Sequence, residues 1–533
     1  MILRRQALSG ALGALAALCG GRRSDARNAR GILDPASFRH YIDSFNRDDS
    51  GDAGGFIHNA QAADWIEQQI PFLACPDRDI EATYYYRWWA FRKHIEKTPR
   101  GFVVTEFLRH VKHAAEYNAI SCALGHHIAE GRWLRERRYL DDYVDFWLHG
   151  GADRGLHPAF HRYSGWLSAA LYDRWLADGN TGYLVAQLDS LVTDYVTWER
   201  ERLAPNGLFW QYDVADGMEE SASGGRHARN LRPSINSYMY GNAAAIAAIA
   251  KIAGKPALQV EYAVKAARLR QLVEQNLWNR HAEFFETVQP SGRFADVREE
   301  IGFTPWYFNL PKSQAGYETT WTQLMDPNGF YAPYGPTTVE RRHPSFRISG
   351  EGDDCQWNGP SWPFATTITL RAAAEALNRY PSCPLRVEDY FRLFLIYTRS
   401  QRLRLPGGRT IPFIDENLNP FTGEWQARST KIRKGTFYGR GDHYNHSGYA
   451  DLVITGVCGL RPRADRVIEI NPLIPAGLWD WFCLDRIPYH GHAVSIIWDR
   501  TGTHFGMGSG FRVLVDGREA ARSDNLGRLT GRL

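Results

Sequence analysis

The sequence lacks any run of roughly 18 consecutive apolar residues, the length that a membrane-spanning helix needs. It also lacks a strong charge of either sign, because its formal net charge is only +4 over 533 residues. There is no basic tail of the kind that binds nucleic acid. The composition therefore predicts neither a membrane span nor a nucleic-acid partner.

Cysteine is sparse, with seven residues scattered along the chain. None forms a C-x-x-C pair or a His/Cys spacing typical of a zinc site. The adjacent histidines His126 and His127 have no third ligand nearby, so we interpret them as hydrogen-bonded histidines rather than metal ligands. The sequence predicts no metal site and mostly buried free thiols, although one or two disulfides remain possible if the protein is exported.

Aromatic residues are abundant, at 13% of the chain with 18 tryptophans. This is more than a core alone requires, and part of the excess lies in Gly/Pro-containing loops rather than in periodic helices. Planar rings that line a cleft bind weakly charged, ring-shaped ligands such as sugars. The composition thus favours a carbohydrate ligand.

The first thirty residues resemble a cleaved export signal, with a basic start, a short apolar run and then small residues. Arg4-Arg5 is similar to a twin-arginine signal, which directs bacterial export of a folded protein. Cys19 raises the alternative of a lipoprotein, but Leu18 is larger than the residue that usually precedes a lipidated cysteine. A second alternative is an N-terminus that is disordered or helical and is retained.

The middle of the chain has helical periodicity, with apolar residues near positions i, i+3, i+4 and i+7. Loops of alternating short and long length join the helices, which favours an (α/α)6 toroid over residues 31–460 with the long loops at one end. The helices are predicted at residues 59–95, 108–124, 139–148, 163–178, 183–202, 234–253, 257–277, 361–379, 387–402 and 447–459.

The last part of the chain changes character. Residues 466–470, 493–498 and 511–515 are short apolar or alternating runs separated by Gly and Pro. The third run ends in an Asp516-Gly517 turn. These features predict a small antiparallel β domain over residues 461–533.

Three long loops carry the candidate chemistry: residues 213–221, 356–363 and 414–425. The first and third contain carboxylates, and the second contains Trp357 and Trp362. One proton donor, one base and flat apolar surfaces are what glycoside hydrolysis requires. Adjacent carboxylates in the first loop repel each other, which helps one of them to keep its proton.

The motifs in these loops resemble those of the glycoside hydrolase family 63 group, which includes mannosylglycerate hydrolases. W-N-G-P-S-W-P at 357–363 is similar to W-R-G-P-x-W-P, G-M-E-E-S at 217–221 to G-M-D-N-S, and E-N-L-N-P-F-T-G at 416–423 to E-N/Y-Y-D-P-x-T-G. The resemblance implies an (α/α)6 barrel, inversion at the anomeric carbon and no cofactor. It implies Glu219 as general acid and Glu416 as general base. The acidic loop itself leaves Asp216 and Glu220 as alternative acids.

Two departures from the pattern bear on specificity. Glu219 stands where the group has Asp, which moves the carboxyl by about one methylene, and Asn358 stands where it has Arg, which removes a bidentate cation. The sugar, anomer, leaving group and oligomeric state stay open. Contacts to a carbohydrate substrate are predicted from a loop at 125–134, from the acidic loop and the tryptophan just before it, and from the aromatic loop. The residues are Glu130, Arg132, Trp133, Trp210, Asp216, Glu220, Gln356, Trp357, Asn358 and Trp362.

Two alternatives to a hydrolase remain. A glycoside phosphorylase on the same barrel would use phosphate as nucleophile and would have a cationic pocket in place of Glu416. A non-catalytic carbohydrate-binding protein would keep the aromatic cleft and form no product.

Overall fold

The structure, a computed structural model, describes residues 31–49, 55–348 and 355–533. The predicted export signal at residues 1–30 lies outside this part of the chain, so it stays a prediction. Among the helices described, none combines the length and the apolar character required to cross a membrane.

The described chain is rich in helices, and most of the predicted ones are present with boundaries shifted by a few residues. The last α-helix continues directly into a π-helical turn at Val453–Val457. The α-helices are α1 (Arg39–Asp48), α2 (Ala62–Gln69), α3 (Arg78–Lys93), α4 (Leu124–Gly131), α5 (Arg138–His149), α6 (Leu167–Asp178), α7 (Thr181–Ala186), α8 (Leu188–Arg202), α9 (Pro233–Ile252), α10 (Pro256–Asn276), α11 (Thr304–Tyr307), α12 (Pro363–Arg379), α13 (Val387–Ser400), α14 (Gln426–Arg433) and α15 (Ala450–Leu452).

Six of these helices contact one another in a closed circuit: α4 packs on α6, α6 on α9, α9 on α11, α11 on α12, α12 on α15, and α15 again on α4. Others, including α8, α10 and α13, pack against members of this circuit. Helix α9 is buried around most of its circumference, as expected for a helix that is apolar on all sides. The helical part of the protein is therefore organised around a ring of packed neighbours.

The C-terminal part is antiparallel β structure, as predicted. It forms a five-stranded sheet in the order β1-β12-β13-β14-β15 and a three-stranded sheet β10-β11-β16. The strands are β1 (Phe72–Ala74), β2 (Ile95–Thr98), β3 (Gly101–Val104), β4 (Glu220–Ser221), β5 (Trp278–Asn279), β6 (Phe284–Phe285), β7 (Gln356–Trp357), β8 (Arg402–Arg404), β9 (Thr410–Pro412), β10 (Leu460–Arg461), β11 (Val467–Ile470), β12 (Trp481–Tyr489), β13 (His492–Asp499), β14 (Gly510–Val515), β15 (Arg518–Ser523) and β16 (Leu529–Arg532).

The five-stranded sheet has two informative details. Asp516 and Gly517, between β14 and β15, both have positive φ, at 49° and 79°, as a two-residue hairpin turn requires. Strand β1 comes from the N-terminal half of the chain and pairs with β12. The predicted β domain at 461–533 thus completes its sheet with a strand that precedes the helical ring.

Two helix assignments from the sequence are wrong. Residues 108–124 do not form a helix; Tyr117 and Asn118 have φ near 60°, and the Asn118 side chain bonds to the backbone of Phe107, Arg109 and Val111. Such side-chain bonds compete with a helical ladder. The predicted helix at 59–95 is also divided, because strand β1 interrupts it.

The predicted loop at 125–134 is mostly helix α4. Its two glycines are present for close packing rather than to break the helix. A Cβ on Gly125 would lie 2.1 Å from the ring of Trp166, and one on Gly131 would lie 2.9 Å from Leu140.

Candidate active site

The three candidate loops are joined through their backbones. Strand β4 of the acidic loop pairs in parallel with strand β7 of the aromatic loop, with Glu220 opposite Gln356 and Ser221 opposite Trp357. The aromatic loop in turn bonds to the third loop, since Ser361 and Leu418 exchange two N–H···O bonds of 3.0 Å. The acidic loop, more than a hundred residues from the other two in sequence, is thereby joined to them as one surface.

Glu416 is buried and forms ion pairs with two cations. Arg440 donates to both carboxylate oxygens, at 2.6 Å to Oε1 and 2.8 Å to Oε2, and Lys431 Nζ lies 3.2 Å from Oε1. Helix α14 carries Lys431. The loop with Arg440 approaches closely through Gly441, where a Cβ would lie 1.8 Å from the carboxylate of Asp415. The contacts fix the orientation of Glu416, and from the described residues its Oε2 accepts fewer hydrogen bonds than its Oε1.

Glu219 is half-buried in the turn before β4, and Asp216 is fully buried nearby. The carboxylate of Asp216 accepts hydrogen bonds from Arg232 Nε, at 2.9 Å, and from Ser234. Arg232 also forms a 2.6 Å ion pair with Asp213. Asp216 therefore belongs to a buried ionic cluster, which argues against its predicted roles as sugar contact and alternative acid. Glu220 is half-buried within β4.

A buried carboxyl that the sequence did not single out, Glu106, interacts electrostatically with both candidates. Burial, together with the nearby charges of Glu219 and Glu416, raises the pKa of Glu106 to about 8. Glu106 accepts hydrogen bonds from the Tyr444 hydroxyl, at 2.9 Å, and from the Ala123 N–H, at 3.1 Å. Both candidate carboxylates thus lie within electrostatic range of one buried group.

Glu106 should make stability depend on pH. Its pKa is about 8 in the folded protein against 4.5 ordinarily, so the folded state binds this proton more tightly. The stabilisation that protonated Glu106 contributes to the free energy of unfolding is therefore complete below about pH 4.5, and it is lost as pH rises through about 8. We expect Glu106→Gln to lose less stability than the wild type between pH 5 and 8, measured by denaturant unfolding. Parallel curves for the two proteins would contradict this assignment.

The aromatic loop supplies a stacked pair of tryptophans. The rings of Trp357 and Trp362 lie 4.3 Å apart with an interplanar angle of 11°. His446 contacts the edge of Trp362 and stacks on Tyr444 at 3.8 Å. These rings extend the site from Glu106, through Tyr444, to the tryptophans.

Polar atoms in this cluster are buried without normal hydrogen bonds. Neither ring nitrogen of His446 makes a hydrogen bond to the described residues, and neither does Nε1 of Trp357. The backbone of Glu416 nevertheless lies near His446 and acts to raise its pKa. Burial lowers the pKa of His446 well below its ordinary value, so its ring is neutral. Buried polar groups normally have partners, and a neutral imidazole beside stacked rings is suited to bond a sugar hydroxyl.

We expect His446→Phe to lower kcat/KM by about tenfold, because one or two hydrogen bonds of about 1 kcal/mol each would be lost. Stacking on Tyr444 would be kept, so the melting temperature should change little. His127→Phe is the matched control. Its nitrogens bond to Tyr143 and Asn445 within the protein, so it should lower the melting temperature instead. An unchanged kcat/KM in His446→Phe would contradict a role in substrate binding.

Glu130, Arg132 and Trp133 were predicted as sugar contacts, but the structure uses all three internally. Glu130 accepts backbone N–H groups at the start of helix α15, including those of Ala450 and Asp451. Arg132 and Trp133 both donate to the carboxylate of Asp451, at 2.6 and 2.8 Å. These side chains are buried and connect α4 to α15, which corrects the prediction.

The other predicted contacts are placed as follows. The ring of Trp210 is already contacted by the guanidinium groups of Arg202 and Arg229, at 4.7 and 4.6 Å, which leaves less of it for a sugar. Gln356 is buried and accepts a bond from Gln426. Asn358 bonds through its backbone to Arg347, and its buried Oδ1 lacks a hydrogen bond to the described residues. The structure thus brings Trp357, Trp362 and Asn358 to the site and not Arg132 or Trp133.

Sequence reasoning missed Glu106, Lys431, Arg440 and His446. His446 lies directly before the predicted helix at 447–459, and Glu106 lies in a segment without a recognisable motif. One signal was available, since five basic residues lie between 428 and 440 and follow the Glu416 loop directly.

The comparison with protein families agrees with this geometry. The family described as the mannosylglycerate hydrolase MGH1-like glycoside hydrolase domain matches residues 116–447, which is more than half of the chain and contains all three loops. This chain belongs to that family. The resemblance inferred from the motifs is confirmed. The C-terminal domain of glycosyl hydrolase family 65 matches residues 460–521, the start of β10 to within β15.

Solved structures give a second comparison for this MGH1-like domain. A structure named "Sialidase" is 45% identical over 95% of this chain, with a TM-score of 0.90, and this chain spans 46% of that protein's length. A family 78 rhamnosidase of Bacillus sp. GL1 is similar in fold alone: 13% identity, 80% of this chain, 40% of that one and a TM-score of 0.54. A third structure is a family 63 mannosylglycerate hydrolase from Thermus thermophilus in complex with Tris and D-glycerate. It is 12% identical over 66% of this chain and 100% of that one, with a TM-score of only 0.49.

Proposed function

We propose that this chain is an exported glycoside hydrolase that inverts the anomeric centre, with Glu219 as general acid and Glu416 as general base. One observation carries the proposal. The two carboxylates come from loops that a shared backbone network joins, and both act on the pKa of Glu106. Family membership supports glycoside hydrolysis in general.

The proposed reaction is a single displacement. A water molecule attacks the anomeric carbon while Glu416 accepts its proton, and the C–O bond to the leaving group breaks as Glu219 protonates the leaving oxygen. Arg440 and Lys431 orient Glu416 throughout. The stacked Trp357 and Trp362 are buried and form an apolar wall of the site next to His446.

The proposal extends to architecture and location. The closed circuit of six helices supports an (α/α)6 toroid over residues 31–460, followed by the β region at 461–533. The proposed export rests on the first thirty residues of the sequence alone. Mass spectrometry of the protein from a native bacterial host would show whether this segment is removed.

The decisive test is the configuration of the first product. We expect proton NMR of hydrolysis to show the anomer opposite to that of the substrate before mutarotation, on at least one member of a panel of neutral and acidic aryl glycosides. Retention would contradict the proposal and would predict that the carboxyl groups of Glu219 and Glu416 lie about 5 Å apart, rather than the roughly 6.5–9.5 Å of inverting enzymes.

The same panel tests the two alternatives. A sugar phosphate that forms only when inorganic phosphate is added would identify a phosphorylase. Saturable sugar binding without any product, unaffected by Glu416→Gln, would identify a binding protein.

A further inference from the structure

A strongly basic groove lies next to the candidate base. It has a volume of about 640 Å³, and six of the nine residues that line it are basic or histidine. Two of the six, Lys431 and Arg440, are the cations that contact Glu416. The basic and histidine residues of the groove are Arg109, His110, Lys112, His113, Lys431 and Arg440.

Two cations of the groove, Arg109 and Lys112, make no ion pair with the described residues, and both side chains are exposed. Two acids of the described ranges are paired with other groups: Glu416 with Arg440, and Asp442 with Arg428. Among the described residues, the groove therefore presents net positive charge to solvent, in a protein whose overall charge is close to zero.

Exposed aromatic rings accompany these cations. Phe437 and Tyr438 are 60% and 46% exposed, and their rings are nearly parallel. Arg109 lies over the Phe437 ring at 5.0 Å, and Arg428 lies over Tyr438 at 4.6 Å. Large exposed apolar side chains that are grouped together commonly mark a binding surface. Flat rings next to cations suit a sugar that carries an acidic substituent.

The groove begins at the candidate base, because Lys431 and Arg440 both line it and contact Glu416, and neither Trp357 nor Trp362 is among its lining residues. His113 interacts electrostatically with both Arg440 and Glu416, whereas the stacked pair Trp357 and Trp362 reaches the centre through His446 and Tyr444. A sugar on the tryptophans and a sugar in the groove would therefore be different units of one glycan.

We propose that this groove is a subsite for a carboxylate- or sulfate-bearing sugar that adjoins the unit being cleaved, so that the natural substrate is an acidic glycan. The proposal rests on the proposed hydrolase function. Arg109 and Lys112 bind the acidic group, and Phe437 stacks on the ring. Asn358, in place of an arginine in the aromatic loop, is compatible with this arrangement because the positive charge lies in the groove instead.

The test measures binding, so that it does not depend on turnover. Three probe pairs are titrated into the full chain by calorimetry at low and high salt: tetragalacturonate with its methyl ester, a chondroitin sulfate tetrasaccharide with its desulfated form, and sialyllactose with lactose. We expect at least one acidic member to bind more tightly than its neutral counterpart, with an affinity that falls as salt rises.

Variants then locate the binding site. Arg109→Gln combined with Lys112→Gln should weaken the acidic probe by about 3- to 30-fold, the effect of two exposed ion pairs, and leave the neutral member unchanged. Phe437→Ala should weaken both members alike. Arg433→Gln is the matched control, since Arg433 is exposed on α14 but lies outside the groove. It should have no effect.

Three outcomes would overturn the proposal. The first is equal affinity for the acidic and neutral members of every pair. The second is a loss of affinity in Arg433→Gln as large as that in the Arg109→Gln and Lys112→Gln variant. The third is inorganic phosphate that binds the groove and is consumed to give a sugar phosphate. Failure of the hydrolase proposal is distinguishable, because charge-selective binding that Arg109 and Lys112 control would persist even if no glycoside were hydrolysed.

Discussion

Glutamine in place of Glu416 should reduce kcat by about 10²- to 10⁴-fold, the usual contribution of a general base. Glutamine has nearly the same shape but cannot accept a proton from water. Because an interaction of the transition state is lost, kcat and kcat/KM should fall by similar factors. Steady-state kinetics on the best substrate of the glycoside panel would measure both.

The Glu416 variant needs a control for its ion pairs, since the substitution leaves Arg440 and Lys431 without their carboxylate. Glu424→Gln is the matched control. Glu424 lies in the same loop and is exposed, and among the described residues its side chain bonds only to Ser429. It should keep full activity. Partial recovery of the Glu416→Gln variant by added azide or formate would separate loss of the base from misfolding. Undiminished activity in Glu416→Gln would remove Glu416 from the mechanism.

Methionine in place of Arg232 should destabilise the protein by several kcal/mol, because the buried carboxylates of Asp213 and Asp216 would lose their shared cation. Removal of one partner from a buried ion pair commonly costs about 3–5 kcal/mol. Arg232, Asp213 and Asp216 have fully buried side chains, so water cannot compensate. The free energy of unfolding and the melting temperature should both fall.

Two further variants show whether charge is the cause. Asp213→Asn and Asp216→Asn, added to Arg232→Met, should recover much of the lost stability, because all three buried charges would then be absent. Arg500→Ala removes an exposed pair with Asp480 and should cost less than about 1 kcal/mol. If Arg232→Met is no less stable than Arg500→Ala, the buried cluster does not hold the acidic loop in place.

The sequence predicts the elements whose local pattern and tertiary environment agree. Helices α9 and α10 each begin at a proline and follow a continuous apolar period, and they are found within one residue of their predicted starts. The candidate loops are also recognisable, because tryptophan, proline and glycine occur at fixed positions in them.

Long-range contacts explain what the sequence does not predict. Gly125 resembles a helix breaker until Trp166 is known to pack against it. Glu130 is predicted as a sugar contact, yet it accepts backbone N–H groups some 320 residues away. Glu106 becomes notable only once Tyr444 and Ala123 enclose it. In each case the role depends on a partner that is distant in the chain.

The strand β1 has a consequence for the order of folding during synthesis. Residues 72–74 pair with β12, and the N–H groups of Ile32 and Leu33 bond to Asp485 in that same strand. The ribosome therefore releases one half of this pairing some four hundred residues before the other. The helical ring can assemble before β1 finds its partner strand. A nascent chain stalled before residue 481 would expose the unpaired edge of β1 to chaperones or to another copy of the chain.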